Sequence, residues 1–296
     1  MKKIRVFEVI AFLFLLYSSV VLFSVTSEEL VPSILFVGGT GPGNYSSIQS
    51  AINNSTPDDV VFVYTGIYHE NLIIEKSLHL IGQNKNTTII NGDANTFVVT
   101  LLANNITLSD LTITNSEKKF PYAGIYVHSN DNTISDTILT DNYYGMQLGY
   151  SAHGNRILNN TIFYNQQCGI YFNHASENIL MGNTVYDHNV NGFGLYEFSN
   201  NNSIIGNVFS QNGNTGVNIR ESYQNQVRNN MFLNNTLGLH KPSPEYQTST
   251  ENNGFSENRV DKKRPASFPS RSHHVQFQIA QRNPRRHHFP RQTVGD

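Results

Sequence analysis

A single cysteine, Cys168, stands in 296 residues, and tryptophan is absent. One thiol excludes an intramolecular disulfide and any zinc cage built from several thiolates. Only 14% of the residues are charged and the formal net charge is -2. Without a basic surplus the chain lacks the footprint that phosphate backbones demand, so nucleic acid is not an expected partner. No stretch of the body carries a long 3.6-residue apolar period, which disfavours a helical domain. What is abundant is asparagine, 39 residues or about one in eight. An excess of that size calls for a structural cause.

Charge is unevenly placed. Lys241 to Asp296 holds 10 of the 20 basic and 5 of the 22 acidic residues, leaving about -7 before it and about +5 within it. This segment, 241-296, is rich in Arg, His, Pro and Ser and includes His273-His274 and His287-His288. Its composition predicts a disordered basic tail. At the other end, Lys2, Lys3 and Arg5 precede an uncharged, mostly apolar run from Val9 to Val25. Residues 1-27 therefore read as a signal peptide or an N-terminal membrane anchor, and the body is expected outside the cytoplasm: extracellular, at the cell surface or periplasmic.

The body repeats. A Gly followed by alternating apolar residues recurs at Gly124, Gly145, Gly169, Gly192 and Gly216, with a spacing of about 23 residues. Asn132, Asn155, Asn178, Asn202 and Asn225 keep the same period, each two residues before an aliphatic residue, and Asn160, Asn183, Asn207 and Asn230 form another ladder. Three short strands of period-2 alternation per repeat, separated by Gly- and Asn-rich turns, predict an all-β solenoid. The fold expected over 60-240 is a single-stranded right-handed parallel β-helix of about eight coils. Asparagine fits its corners, because Asn tolerates the left-handed backbone that a one-residue corner requires. Stacked amides can also hydrogen-bond along a ladder. Residues 28-59 are expected to cap the first coil, with Ser46-Ser47-Ile48-Gln49 as a capping box ahead of a short amphipathic helix. An uncovered last coil would favour end-to-end self-association.

The segments Gly41-Pro42-Gly43-Asn44-Tyr45, Val60 to Asn71, Leu80-Ile81-Gly82 and Thr88 to Gly92, followed by the Asn-x-Ile and Gly-Ile-Tyr repeats to about Gly238, resemble NosD-like and pectate-lyase-like right-handed β-helix surface proteins. The resemblance implies the fold. It also raises polysaccharide lyases, epimerases, hydrolases, noncatalytic surface modules and copper accessory proteins as functional alternatives. Gly66 to Glu70 is similar to an element near the start of pectin methylesterases, but that family's later Gln-Asp and Asp-Phe-Ile-Phe-Gly segments have no counterpart. No cofactor is expected. Calcium and copper are the ions the resemblance raises, yet there is no evident Asp cluster for the first, and His128, His153, His174 and His188 fall at different repeat positions for the second.

Aligning the repeats by their Gly places Tyr126, Gln147, Tyr171, Gly194 and Asn218 in one outward row, and His128, Gly149, Asn173, Tyr196 and Arg220 in the next. Ser129, Tyr150, His174, Glu197 and Glu221 follow at the strand end. Aromatic rings, amides, imidazoles, carboxylates and a guanidinium on one face suit hydrogen bonding and stacking to sugars. The expected ligand is a polysaccharide or cell-surface glycan, held by Tyr126, His128, Gln147, Tyr171, Asn173, Tyr196 and Asn218. If catalysis occurs, His174, Glu197, Glu221 and Arg220 are its candidates, since neighbouring coils bring equivalent side chains within about 5 Å. The expected role is noncatalytic binding or structure.

Overall fold

Alternating β-branched and aromatic residues, interrupted every few positions by Gly, Asn or Asp, give strands too short to stand alone. A computed structural model describes residues 32–240, 244 and 247–259, in which these strands stack into a parallel β-helix. Ten strands, Ile34–Val37 to Ser249–Glu251, form one sheet. Nine, Gly66–His69 to Gly254–Ser256, form the second, and eight, Leu72–Ile74 to Leu237–His240, form the third. Each strand pairs with its equivalent one turn on, as Ile157 does with Leu180 and Leu180 with Ile204.

The helix is longer than the repeats suggest, nine turns in the nine-strand sheet against about eight. Ile34–Val37 lies in the stretch assigned to the cap, yet pairs in parallel with Val60–Val63. At the other end Ser249–Glu251 and Gly254–Ser256 extend two sheets beyond His240, the expected boundary. Their sequences, Ser-Thr-Glu and Gly-Phe-Ser, lack apolar alternation and are held by the ladder of the preceding turn. The leader or anchor over 1-27 and the chain from Val260 onward fall outside the described residues. Among the described residues no helix is long and apolar enough to cross a membrane.

The capping helix, α1, spans Ile48–Asn54 and buries Ile48, Ala51 and Ile52 against the first turn. Its cap differs from the expected box. Ser47, not Ser46, is the N-cap and accepts from Ser50 N. Gln49 is turned away to the Ile73 backbone, whose N–H donates to its Oε1 at 2.8 Å. The orphan amides of the first turn are met instead by Glu70, whose carboxylate accepts from Ile48 N at 2.8 Å, Gln49 N at 2.9 Å and Ser47 Oγ at 3.0 Å. A carboxylate there also complements the helix dipole. The Gly66 to Glu70 element thus has a structural use.

Asparagine occupies the corners in a different sense from the one expected. The left-handed residue is the one before each ladder position: Asp131, Glu177, Asn201 and Gln224 have φ of 58°, 60°, 56° and 54°. The ladder residues Asn132, Asn155, Asn178, Asn202 and Asn225 point inward and are fully buried. Asn178 N and Nδ2 both donate to Asn202 Oδ1, at 2.9 and 3.1 Å, and Nδ2 also donates to Ala152 O one turn back. One side chain therefore ties three turns together, supplying partners to corner amides that the strands do not pair. Asn160, Asn183, Asn207 and Asn230 repeat the arrangement at the second corner. A third ladder, through Asn142, Asn165, His188, Asn212, Asn235 and Asn258, lines the last corner. The repeating Gly row follows from it, since a Cβ at Gly124, Gly145 or Gly192 would stand within 3 Å of a ladder amide nitrogen.

His188 interrupts that third ladder. Its Nδ1 accepts from Asn165 N at 3.2 Å, while its buried Nε2 has no partner among the described residues. Burial holds the imidazole neutral and lowers its pKa to about 3.

Two outcomes are expected. Asn202→Ala leaves the buried Asn178 amide unpaired and should cost about 2–4 kcal/mol in urea denaturation; a loss below about 1 kcal/mol would show that the ladder is decorative. For His188 the unfolded chain binds the proton more readily than the folded one, so its contribution is intact above about pH 6.5 and is eroded as pH falls from there toward about 3. The urea midpoint should drop between pH 7 and pH 4.5 in the wild type and drop less in His188→Asn. Equal drops in both would remove His188 as the cause.

Candidate functional site

The outer face of the eight-strand sheet carries the groove. Strand register places Tyr126, Gln147, Tyr171, Gly194 and Asn218 in one row across consecutive turns, as the repeats imply. Asn173 and Tyr196 are likewise paired in the next row. A further outward column escapes the alternation rule: Ala123, Tyr144, Cys168, Asn191 and Thr215 each immediately precede a repeat Gly. Because those glycines face the third ladder, the residue before each is turned outward. Tyr144, Cys168 and Ala123 pack there with Phe97, Tyr143, Tyr171 and Val190 as a small apolar cluster separate from the core.

Tyr196 is the centre of the groove. Its ring folds back over Gly194, where any Cβ would collide with it. Asn191 Nδ2 and Asn218 Nδ2 donate to its hydroxyl at 3.0 and 3.1 Å. Tyr171 leans on it with ring centroids 5.3 Å apart, and Tyr144 stacks on Tyr171 at 4.7 Å. These rings, with Gln167, Cys168 and Val190 on one side and Glu197, Arg220 and Glu221 on the other, enclose an open groove of about 320 Å³. Asn218 and Gln147, both expected at the surface, are buried, and Asn218 Oδ1 and Gln147 Oε1 have no partner among the described residues. The Tyr196 hydroxyl lies against the Asn218 amide.

The groove's titratable groups are tuned by burial. Burial pushes the Tyr196 phenol up to about 12 and raises those of Tyr144 and Tyr171. It also pushes the Cys168 thiol up to about 11, against hydrogen bonding from Asn191. No phenolate or thiolate base is thus available near neutrality. Arg220 has no described carboxylate within 4 Å.

The expected acid-base pair is only partly assembled. His174 Nδ1 lies 3.8 Å from Glu197 Oε2, and Asn173 joins them, donating to Glu197 Oε2 at 2.9 Å and sitting 2.6 Å from His174 Nδ1 through Oδ1. His174 and Glu197 both sit at left-handed corners, so they project from the rim. His128 and Tyr126 fall two turns away, with Tyr126 OH 3.3 Å from His128 Nδ1. Tyr171, Tyr196, Glu197, Arg220 and Glu221 are therefore brought together, and Tyr126 and His128 are not.

Copper chemistry was tested against the same side chains. Among the described residues no three His, Cys, Asp or Glu side chains converge to hold a metal ion. Met146 is sealed in the core, and Met181 and Met231 belong to two different sheets. Cys168 stays a buried thiol and His188 is committed to the amide ladder. The described residues do not fit a copper centre of clustered soft ligands.

The pectate lyase Pel9A aligns over 79% of each chain with TM-score 0.58 at 12% identity. The alginate lyase from Paenibacillus sp. str. FPU-7 aligns over 77% of this chain and 99% of its own, with TM-score 0.57 at 12% identity. The catalytic domain of a GH87 alpha-1,3-glucanase aligns over 75% and 45%, with TM-score 0.56 at 13% identity. At such identities the likeness is one of fold. A Probable pectinesterase/pectinesterase inhibitor 41 from Arabidopsis thaliana is 35% identical over 77 residues, 22% of this chain, and the chain spans 13% of that relative's length. The profile of the family described as Periplasmic copper-binding protein (NosD) matches residues 52–267, well over half of the sequence, and the chain belongs to the NosD family.

Proposed function

We propose that this protein is an exported, noncatalytic glycan-binding β-helix that holds a polysaccharide in the groove above Tyr196. The observation carrying this reading is the Tyr196 ring, backed by Gly194 and pinned by two amides, beside an Arg220 guanidinium that has no ion-pair partner among the described residues. A ring held in one orientation offers an apolar face to a pyranose, and an open groove accepts a chain rather than a small molecule that must be enclosed. Export agrees with the basic and apolar leader and with the periplasmic family.

Binding without turnover is supported by the proton inventory. The phenols and the thiol are held protonated by burial. The other titratable groups are His174 with Glu197, whose Oε2 accepts from Asn173, and Glu221 in the groove with Arg220.

The full-length protein, screened on an array of acidic and neutral polysaccharides with reducing-end release followed in parallel, is expected to bind without releasing sugar. Tyr196→Ala should weaken binding about tenfold, consistent with one lost stacking contact. Arg220→Ala should act on the acidic glycans alone. Sustained release of reducing ends by the wild type would overturn the noncatalytic reading, and silence across the array would overturn the carbohydrate reading.

A further inference from the structure

A second recess lies away from this groove, where the eight-strand sheet turns toward the ten-strand sheet. Along that corner Tyr150 stacks on His174 with centroids 4.4 Å apart, and His174 leans on Phe198 at 5.8 Å. One face of Tyr150 is therefore covered by His174, while the ring as a whole is 64% exposed. Beside Tyr150 there is a hollow of about 370 Å³, bounded by Tyr150, Ser151, Leu102, His128, Asn104 and Asn130.

The polar groups of the hollow have vacant capacity. Asn104 Oδ1 accepts from Asn130 N at 2.9 Å, and Asn130 Oδ1 accepts from His153 N at 3.0 Å. These bonds fix both side chains while leaving the two amide NH2 groups without a partner among the described residues. The Ser151 hydroxyl and His128 Nε2 add further donor or acceptor positions. No Lys, Arg, Asp or Glu lines the hollow.

We infer that this hollow binds a single neutral pyranose, stacked on the open face of Tyr150 and hydrogen-bonded by Asn104 and Asn130. A sugar matches a site with one apolar wall and a fan of uncharged amides and hydroxyls. A nucleotide would bring phosphate to a hollow that has no cation to receive it. A uronic acid would bring a carboxylate with no counter-charge. The assignment is independent of the groove, whose lining is charged.

Saturation-transfer NMR on the full-length protein, using methyl glucoside, methyl galactoside, methyl mannoside and N-acetylglucosamine, tests the inference. At least one of these should bind, Tyr150→Ala should weaken it about tenfold, and Tyr150→Phe should stay within about threefold of wild type, since stacking needs the ring and not the hydroxyl. Tyr196→Ala separates the two sites, because it disables the groove and should leave this binding intact. Thermal melts of Tyr150→Ala check that the exposed substitution keeps the fold. Failure of all four sugars to bind, unchanged binding in Tyr150→Ala, or equal displacement by glucuronate, a nucleotide or an aromatic peptide overturns the inference.

Discussion

A buried asparagine whose backbone N–H and side-chain amide both donate to the carbonyl oxygen of the next turn's asparagine is the contact on which this solenoid depends. Corners are where a β-helix has no strand pairing, and an unpaired amide buried there costs as much as a lost hydrogen bond. Three ladders, one per corner, meet that cost with the same residue type in turn after turn. They also set the step between turns, so the apolar stacks of Ile, Val, Leu and Phe meet in register inside. Residues before the ladders take the left-handed strain and remain free to vary, as Asp131, Glu177, Asn201 and Gln224 do.

That division of labour determines where function can reside. The interior is filled and the corners are committed, so variation is concentrated in the outward rows and in the left-handed rim positions. On the eight-strand sheet the third ladder favours Gly in the turns from Gly124 onward, and this in turn rotates the preceding residue outward. Tyr144, Cys168 and Asn191 enter the groove by that route. Gly194 opens the space into which the Tyr196 ring folds. The site is thus a by-product of how the corner is packed, elaborated by tyrosine where the repeat leaves room.

Much of the architecture could be read from the residues. The Gly row and the ladders through Asn132 and Asn160 gave the period, the parallel pairing and the outward row from Tyr126 to Asn218. The third ladder was harder to see because His188 breaks it and because its Asn residues precede no simple aliphatic pattern. The ends are less legible for a related reason: Ser249–Glu251 and Gly254–Ser256 extend the helix without apolar alternation, and Asn253 and Asn258 beside them accept from Asn230 N and Asn235 N of the preceding turn. Membership of the NosD family agrees with the early segments that resemble it, although the described side chains gather no copper ligands.

The sequence by itself determined the repeat, because a 23-residue period with inward aliphatics and corner amides has one economical packing, each turn upon the last. Which outward residues meet was decided only by the tertiary structure. Side chains in one row are neighbours by register, but whether a ring stands up, stacks or lies flat depends on the space left by glycine in its own strand and by partners on adjacent turns. Tyr196 is held over Gly194 by the amides of Asn191 and Asn218 together. Gln147 and Asn218, polar and outward by register, are nevertheless buried, and Asn218 donates to the Tyr196 hydroxyl one turn back. Those are contacts between side chains that a one-dimensional pattern does not encode.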